Sequence, residues 1–160
     1  MIYNSTDSEY SSYHLDDAEA IRGLLEAGAN PKLSKPEDED INIPSEAGST
    51  GTVESLKLMR EYGVDFKKSN ALHWAAGDDE DKGNRIPVMT YLLDEVGIPI
   101  DQFDYAYDEG RVIKAVDLCY HNGTALHYAI LGKKTENVEF LLSSGADQKV
   151  KNLRGETPLD

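Results

Sequence analysis

Apolar residues recur three and four positions apart in four stretches of the chain, and each stretch has a glycine at or within two residues of its end. The stretches are 20–30, 56–65, 88–97 and 138–147, and their glycines are Gly28, Gly63, Gly97 and Gly145. This spacing predicts amphipathic helices, and a glycine suits the left-handed residue that ends a helix. The glycines lie 35, 34 and 48 residues apart. The chain is therefore predicted to repeat one helical unit four times, with extra residues in the last interval.

Two strings of one pattern precede the third and fourth of these helices. Residues 70–76 read Asn-Ala-Leu-His-Trp-Ala-Ala, and residues 124–130 read Thr-Ala-Leu-His-Tyr-Ala-Ile. Each string has a short polar residue, Asn70 or Thr124, three positions before its histidine. Such residues accept a hydrogen bond from the backbone at the start of a helix. The strings therefore predict a first helix in each of these units, ahead of the second helix that ends at the glycine.

The strings resemble the T-P-L-H-x-A start of ankyrin repeats, whose period is about 33 residues. The resemblance implies an all-α ankyrin-repeat solenoid of stacked helix-turn-helix units with loop fingers, in which neighbouring units share a core. It is strongest at 70–97 and 123–153. The last interval between glycines exceeds the period by about 15 residues, which indicates one long inserted finger. The insert-rich loops are also similar in style to those of ankyrin proteins from filamentous fungi.

We expect a single domain over residues 1–160. Its units are expected at 6–38, 39–69, 70–122 and 123–154, with a partial unit at 155–160 and the inserted finger at 101–121. The partial unit reads Gly-Glu-Thr-Pro-Leu-Asp, which repeats the start motif with Asp160 in place of the histidine. Because each unit depends on its neighbour for burial, the outward apolar face of the fourth unit needs a cover. Either a longer array or self-association through this carboxy-terminal face would supply it.

Acidic side chains outnumber basic ones by 30 to 16, which gives a formal net charge of −14. This charge does not suit a nucleic-acid backbone, so no nucleic-acid partner is expected. It favours a basic protein partner through electrostatic steering, although acidity also serves solubility. The apolar residues are too dispersed for a membrane span, no secretory leader opens the chain, and Cys119 is the single cysteine. We therefore expect an intracellular protein, cytoplasmic or nuclear, with no membrane partner.

Candidate catalytic and metal-binding groups are few. In the resembling family, the histidine of the start motif holds a loop against the helix start, so His73 and His127 are interpreted as structural. Cys119 and His121 could form a nucleophile–base pair or, with His127, a metal site, but no third group orients the base and no fourth ligand completes the site. The acids from Asp78 onward fail the spacing of a calcium loop, and neither glycine-rich turn has the phosphate-loop pattern. The sequence thus predicts no catalytic residue, no cofactor and no metal.

In resembling proteins, a partner contacts the loop fingers and the exposed face of the first helices. By position, this implies the following contact residues: Phe66, Lys68, Asp78, Phe103, Tyr105, Tyr107, Arg111, Tyr120, His121, Leu131 and Arg154. The inserted finger contributes most of the aromatic side chains, and tyrosine and arginine often dominate binding energy. The alternative, an insertion that packs on its own repeat without contacting a partner, stays open.

The sequence therefore predicts a non-enzymatic scaffold for protein–protein interaction, with a partner of unknown identity. One alternative is an amino-terminal regulatory or targeting fragment of a larger multidomain protein or enzyme, since ankyrin arrays are often fused to other domains. A second alternative is a structural protein without a dedicated ligand.

Overall fold

The computed structural model describes residues 15–31, 43–77, 83–104 and 123–160, and all structural statements refer to these ranges. They contain seven α-helices: α1 (Ala18–Glu26), α2 (Ile43–Thr50), α3 (Val53–Glu61), α4 (Ala71–Gly77), α5 (Ile86–Thr90), α6 (Ala125–Leu131) and α7 (Thr135–Ser143). A 3₁₀ turn lies at Phe66–Lys68 and a π-helical segment at Tyr91–Glu95. The described ranges contain no β-strand, which confirms the all-α prediction for this part of the chain.

The helices lie in two rows. Helix α4 packs between α2 and α6, and we call these three helices the first-helix row. The second-helix row consists of α1, α3, α5 with the π-helical segment, and α7. Within it α1 packs on α3, while α7 packs across on α6. The two helices of one unit thus belong to different rows, as expected for stacked helix-turn-helix units.

The second helices end as the sequence predicts. Gly28, Gly63, Gly97 and Gly145 all have positive φ, between 74° and 95°. A residue with a Cβ is strained in this left-handed region, so glycine lets the chain leave each helix and turn towards the next finger. Side chains set the amino ends of α1 and α3. Asp17 accepts the backbone N–H of Glu19 and Ala20 before α1, and Thr52 accepts that of Ser55 in α3.

Small residues let the first-helix row pack backbone to backbone. A Cβ atom at Gly48 of α2 would collide with the carbonyl of Ala71 in α4, and one at Gly77 of α4 would collide with the carbonyl of Tyr128 in α6. The apolar core lies between the rows and includes the fully buried side chains of Leu56, Met59, Leu72, Met89, Leu92, Leu126 and Leu141. Each unit therefore completes its burial only against its neighbours.

Polar side chains also tie each unit to the preceding one. Arg85, just before α5, donates from Nη2 to the carbonyls of Gly48 and Gly51 at 2.6 and 2.7 Å. Asn137 of α7 donates to the carbonyl of Ala76, at the end of α4, at 2.9 Å. The last carbonyls of an α-helix have no partner within the helix. In the third and fourth units, a residue in or directly before the second helix thus supplies a partner at the end of the preceding unit's first helix.

Candidate interaction surface

His127 joins the start of α6 to the finger that follows α7. Its Nδ1 accepts the backbone N–H of Thr124 at 3.1 Å, and its Nε2 lies 3.3 Å from the carbonyl of Glu156. Because Nδ1 accepts, the proton belongs on Nε2, which then donates to Glu156. Partial burial lowers the pKa of His127 below its ordinary value, although Glu156 opposes the shift. The neutral ring is therefore the form that suits this junction.

His73 holds the corresponding place at the start of α4 and is completely buried. Its Nε2 lies 2.9 Å from the carbonyl of Gln102, and its ring meets the ring of Tyr128 edge-on, with centroids 5.2 Å apart. Burial lowers the pKa of His73 below its ordinary value, while the carboxylate of Asp104 opposes the shift. Both histidines thus fasten the first helix to a carbonyl 29 residues further along the chain.

A hydrogen bond joins the two described residues on either side of 105–122, and we call this junction the neck. The backbone N–H of Asp104 donates to the carbonyl of Gly123 at 3.0 Å, which brings together the two ends of residues 105–122. The side chain of Asp104 is only 2% exposed, and the hydroxyl of Tyr128 donates to its Oδ2 at 2.7 Å. A buried carboxylate needs such a donor. The neck is therefore built from a buried Asp104–Tyr128 bond beside His73.

The predicted contact residues fall into three groups. Lys68, Leu131 and Arg154 are exposed, and Phe103 is half-buried. Asp78, Tyr105, Tyr107, Arg111, Tyr120 and His121 lie outside the described residues. Phe66 is 1% exposed, contrary to the expectation of a finger contact. The reason is local: Asp65 accepts the N–H of Lys67 and caps the 3₁₀ turn, so Phe66 is directed into the core while Lys67 and Lys68 face solvent.

Hydrogen bonds hold the described fingers in place. Gln102 donates from Nε2 to the carbonyl of Lys67 at 3.0 Å, which places the turn after α3 beside the base of the next finger. In the last finger, Asn152 accepts through Oδ1 the backbone N–H of Arg154 and of Glu156 at 2.9 and 3.0 Å. Lys68 and Phe103 are thereby on neighbouring fingers, and Arg154 lies on a tight turn.

Within the described ranges the single ion pair joins Arg22 to Glu19 at 3.7 Å. No group of three or more possible metal ligands occurs among those same residues. The helices of the described chain are all too short or too polar to cross a membrane.

Sequence reasoning missed Asp104 and Tyr128. Asp104 stands in a segment with Asp101, Asp108 and Glu109, and nothing in the linear pattern separates the buried acid from its neighbours. Tyr128 occupies the variable position of the start motif, between His127 and Ala129. The sequence does contain one indication: the equivalent position of the third unit is Trp74, so both units have a large aromatic residue directly after the histidine.

Comparison with known proteins points to one family. A family model described as ankyrin repeats (3 copies) matches residues 45–152. Palmitoyltransferase ZDHHC17 of Danio rerio is 46% identical over 41 residues, which are 26% of this chain and 7% of that protein. Palmitoyltransferase ZDHHC17 of Homo sapiens is 44% identical over 41 residues, which are 26% of this chain and 6% of that protein. The chain thus covers less than a tenth of either curated relative.

Proposed function

The chain belongs to the ankyrin-repeat family, and we propose that it is a non-enzymatic scaffold that binds a protein partner through its finger loops and the exposed side of its first-helix row. Ankyrin repeats generally mediate protein–protein interaction. The proposal concerns which surface of this chain does so and what kind of partner it takes.

The observation that carries the proposal is the anchoring of exposed finger residues by ordered hydrogen bonds at the finger bases. Lys68 follows a capped turn that Gln102 also holds, and Arg154 lies on the turn closed by Asn152. Loops ordered before binding lose less conformational entropy when a partner arrives. Trp74 adds a half-buried aromatic ring on α4 of the first-helix row. Tryptophan and arginine are among the residue types that most often dominate binding energy.

The charge of the chain supports a basic partner. Its formal net charge is −14, and long-range attraction of this kind speeds the association of a positively charged protein. Such attraction weakens with salt, because the screening length falls to about 8 Å at physiological ionic strength. Capture of the partner should therefore decrease as salt rises. We place this interaction inside the cell, in the cytoplasm or the nucleus.

The test compares a finger variant with the wild type in affinity purification and mass spectrometry. The variant combines Lys68→Ala, Arg154→Ala, Tyr105→Ala and Tyr107→Ala, and Glu61→Ala on the exposed surface of α3 is the matched control. We expect a specific protein that the wild type and the control retain and the finger variant loses, with unchanged circular dichroism in all three. Equal recovery by all three folded proteins would refute the proposed surface.

A second possibility is that this chain is the regulatory or targeting part of a larger multidomain protein or enzyme. The relatives that it matches are far longer than the matched segment, and they are named as palmitoyltransferases. That name belongs to those proteins, and the similarity supports only a comparable setting for this repeat array. Sequencing the natural transcript tests this possibility. An open reading frame that encodes no further domain would contradict the proposal that the chain is part of a larger multidomain protein.

Self-association is a further possibility that the exposed leucines favour. Leu131 is 61% exposed and Leu159 is 60% exposed at the carboxy-terminal end of the described stack. Each repeat unit depends on its neighbour for burial, so apolar side chains exposed at the end of a stack offer a surface to a second copy. Light scattering over a concentration series would show a dimer that Leu131→Glu abolishes. A monomer at every concentration would exclude this arrangement.

A further inference from the structure

A groove opens in the second-helix row, between the π-helical segment of the third unit and α7 of the fourth. Its volume is about 260 Å³, and its apolar lining comes from Leu93, Ile98, Ile100 and Phe140. Thr90, Asp94 and Ser144 complete the wall with polar groups, and Asp94 and Ser144 are exposed. None of the residues proposed above as finger contacts lines this groove, so its occupant is a separate question from the finger surface.

The π-helical segment distinguishes this place from the rest of the row. The N–H of Val96 donates to the carbonyl of Tyr91 at 3.1 Å, a bond that spans five residues where an α-helix spans four. The other second helices of the described chain, α1, α3 and α7, are regular α-helices of nine residues each. A π-helical turn costs stability and occurs often at functional sites. Its position beside the groove is therefore a second reason to look for a ligand there.

Helix α3 fixes the opposite side of the π-helical segment. Arg60 donates from Nη1 to the carbonyl of Glu95 at 3.1 Å, and Nζ of Lys57 lies 5.8 Å from the centroid of the Tyr91 ring. Both cations are thus engaged on the side of α3. Asp94 lies on the side of the groove. The π-helical segment therefore has the cations of α3 on one side and an acidic side chain on the other.

A second acid, Asp101, lies next to the groove lining in the sequence. Asp101 follows the lining residue Ile100, and its Oδ1 accepts the N–H of Asp147 at 2.9 Å, which joins the two finger bases beside the groove. In the described ranges, neither Asp94 nor Asp101 forms an ion pair. A small open groove whose exposed surface is mostly polar, with apolar side chains in its wall and the exposed carboxylate of Asp94 at its edge, complements a ligand that carries one apolar side chain beside a positive charge.

The size of the groove limits the ligand further. Pockets for small molecules enclose roughly 300–1,000 Å³, and this groove is smaller and open. It suits one inserted side chain. A second copy of this strongly acidic chain would be repelled from the acidic mouth, which leaves a basic segment of another protein as the occupant.

We propose that this groove is a docking site for a basic peptide segment of a partner protein, which inserts one apolar side chain between Leu93 and Phe140 and places a lysine or arginine against Asp94. The site is independent of the finger surface. A partner that reaches both sites would gain affinity through the higher effective concentration of its second segment.

The test uses random twelve-residue peptides displayed on phage and selected on the folded wild-type chain. Selected peptides should be enriched in an apolar residue flanked by lysine or arginine. Ser144→Trp, which fills the groove, and Asp94→Lys, which reverses its charge, should each weaken their binding by about tenfold or more. Glu26→Lys on α1 is the matched charge control and should bind like the wild type, as should the finger variant defined above.

A measurement on the wild type completes the test without any substitution. Titration of a selected peptide into isotopically labelled protein should shift the backbone amide resonances of Leu93, Ile100 and Phe140. The absence of any selectable peptide would overturn the proposal, as would acidic selected peptides or equal binding to Ser144→Trp. A failure at the fingers alone would leave this groove unaffected, so the two proposals can be told apart.

Discussion

The third and fourth units begin with the same string, yet the two units differ in how they fill the space around it. In the fourth unit, 18 residues separate His127 from Gly145, and 11 more lead to the carbonyl of Glu156 that the histidine contacts. In the third, 24 residues separate His73 from Gly97, and only five lead to the carbonyl of Gln102. The two histidines therefore make the same bond through different lengths of helix and finger.

Comparison of the two units shows which parts of a unit are constant and which vary. The first helix, its histidine and the glycine that ends the second helix keep their places in both units. In the third unit the chain is longer between the two helices and after the second helix, and the second helix contains a π-helical segment. The third unit also supplies Asp104, which is buried against Tyr128 of the fourth unit, and the groove lies next to its π-helical segment. We therefore expect the functions that are particular to this protein to depend on the parts of the third unit that differ from the fourth.

The largest expected effect is a loss of stability, which should be greater when His73 is replaced than when His127 is replaced. His73→Ala should lower the free energy of unfolding by about 3 kcal/mol, because it leaves a cavity and deprives the carbonyl of Gln102 of its donor. His127→Ala should cost about 1–2 kcal/mol, since its ring is only partly buried and its bonds are longer. Urea unfolding of both variants, followed by circular dichroism, measures the difference. Equal losses would show that the two junctions are equivalent.

The next effect concerns the neck of the inserted finger. Tyr128→Phe removes the hydroxyl that donates to the buried Oδ2 of Asp104 and should destabilise the protein by about 2 kcal/mol. Tyr62→Phe is the matched control, because the Tyr62 side chain is 43% exposed, and it should change stability by less than about 0.5 kcal/mol. Thermal melting compares the two. A neutral Tyr128→Phe would mean that the bond does not hold the neck.

The two histidines should make the free energy of unfolding depend on pH. Burial lowers the pKa of both His73 and His127 in the folded chain, so the unfolded chain binds protons more readily. Their contribution to stability is complete above the ordinary histidine value of about 6.5 and is lost as the pH falls below it, by at most about 1.4 kcal/mol per pH unit and group. Unfolding between pH 7.5 and 5.5 should show this loss.

Substitution distinguishes the contributions of the two histidines to this pH dependence. His73→Gln should flatten the pH profile more than His127→Gln, because the buried imidazole opposes protonation more strongly. A wild-type profile that is flat, or rises towards low pH over this interval, contradicts the account.

Much of the fold could be predicted from the sequence because it depends on local patterns. The apolar spacing located the second helices, the four glycines ended them with positive φ, and the two strings located α4 and α6. Phe66 was misplaced, since one aromatic residue beside two lysines resembles an exposed finger until the turn capped by Asp65 directs it inward.

The π-helical segment and the neck depend on contacts that sequence spacing does not show. Leu92, Leu93 and Val96 fit an α-helix as well as the π-helical turn that forms, because three apolar residues within five positions are too few to distinguish the two periods. Asp104 becomes a buried group only because Tyr128, 24 residues away, supplies its donor. Such pairings arise in the folded stack and leave no local signature.

The smallest expected effect lies at the π-helical segment. Arg60→Ala removes the donor to the carbonyl of Glu95 and should cost about 0.5–1 kcal/mol, because the bond is exposed. Amide exchange of Val96 should become faster, while that of Ala146 beyond α7 should not change. Equal acceleration at both amides would indicate a general loss of stability and not a local role of Arg60.

We have proposed that the fingers and the first-helix row form the partner-binding surface. Hydrogen–deuterium exchange of the chain alone and with its co-purified partner tests this most directly. We predict protection at residues 66–70 and 150–156 and along α4, with α1 unchanged. Protection confined to α1 and α3, with the fingers exchanging as in the free chain, would contradict the account.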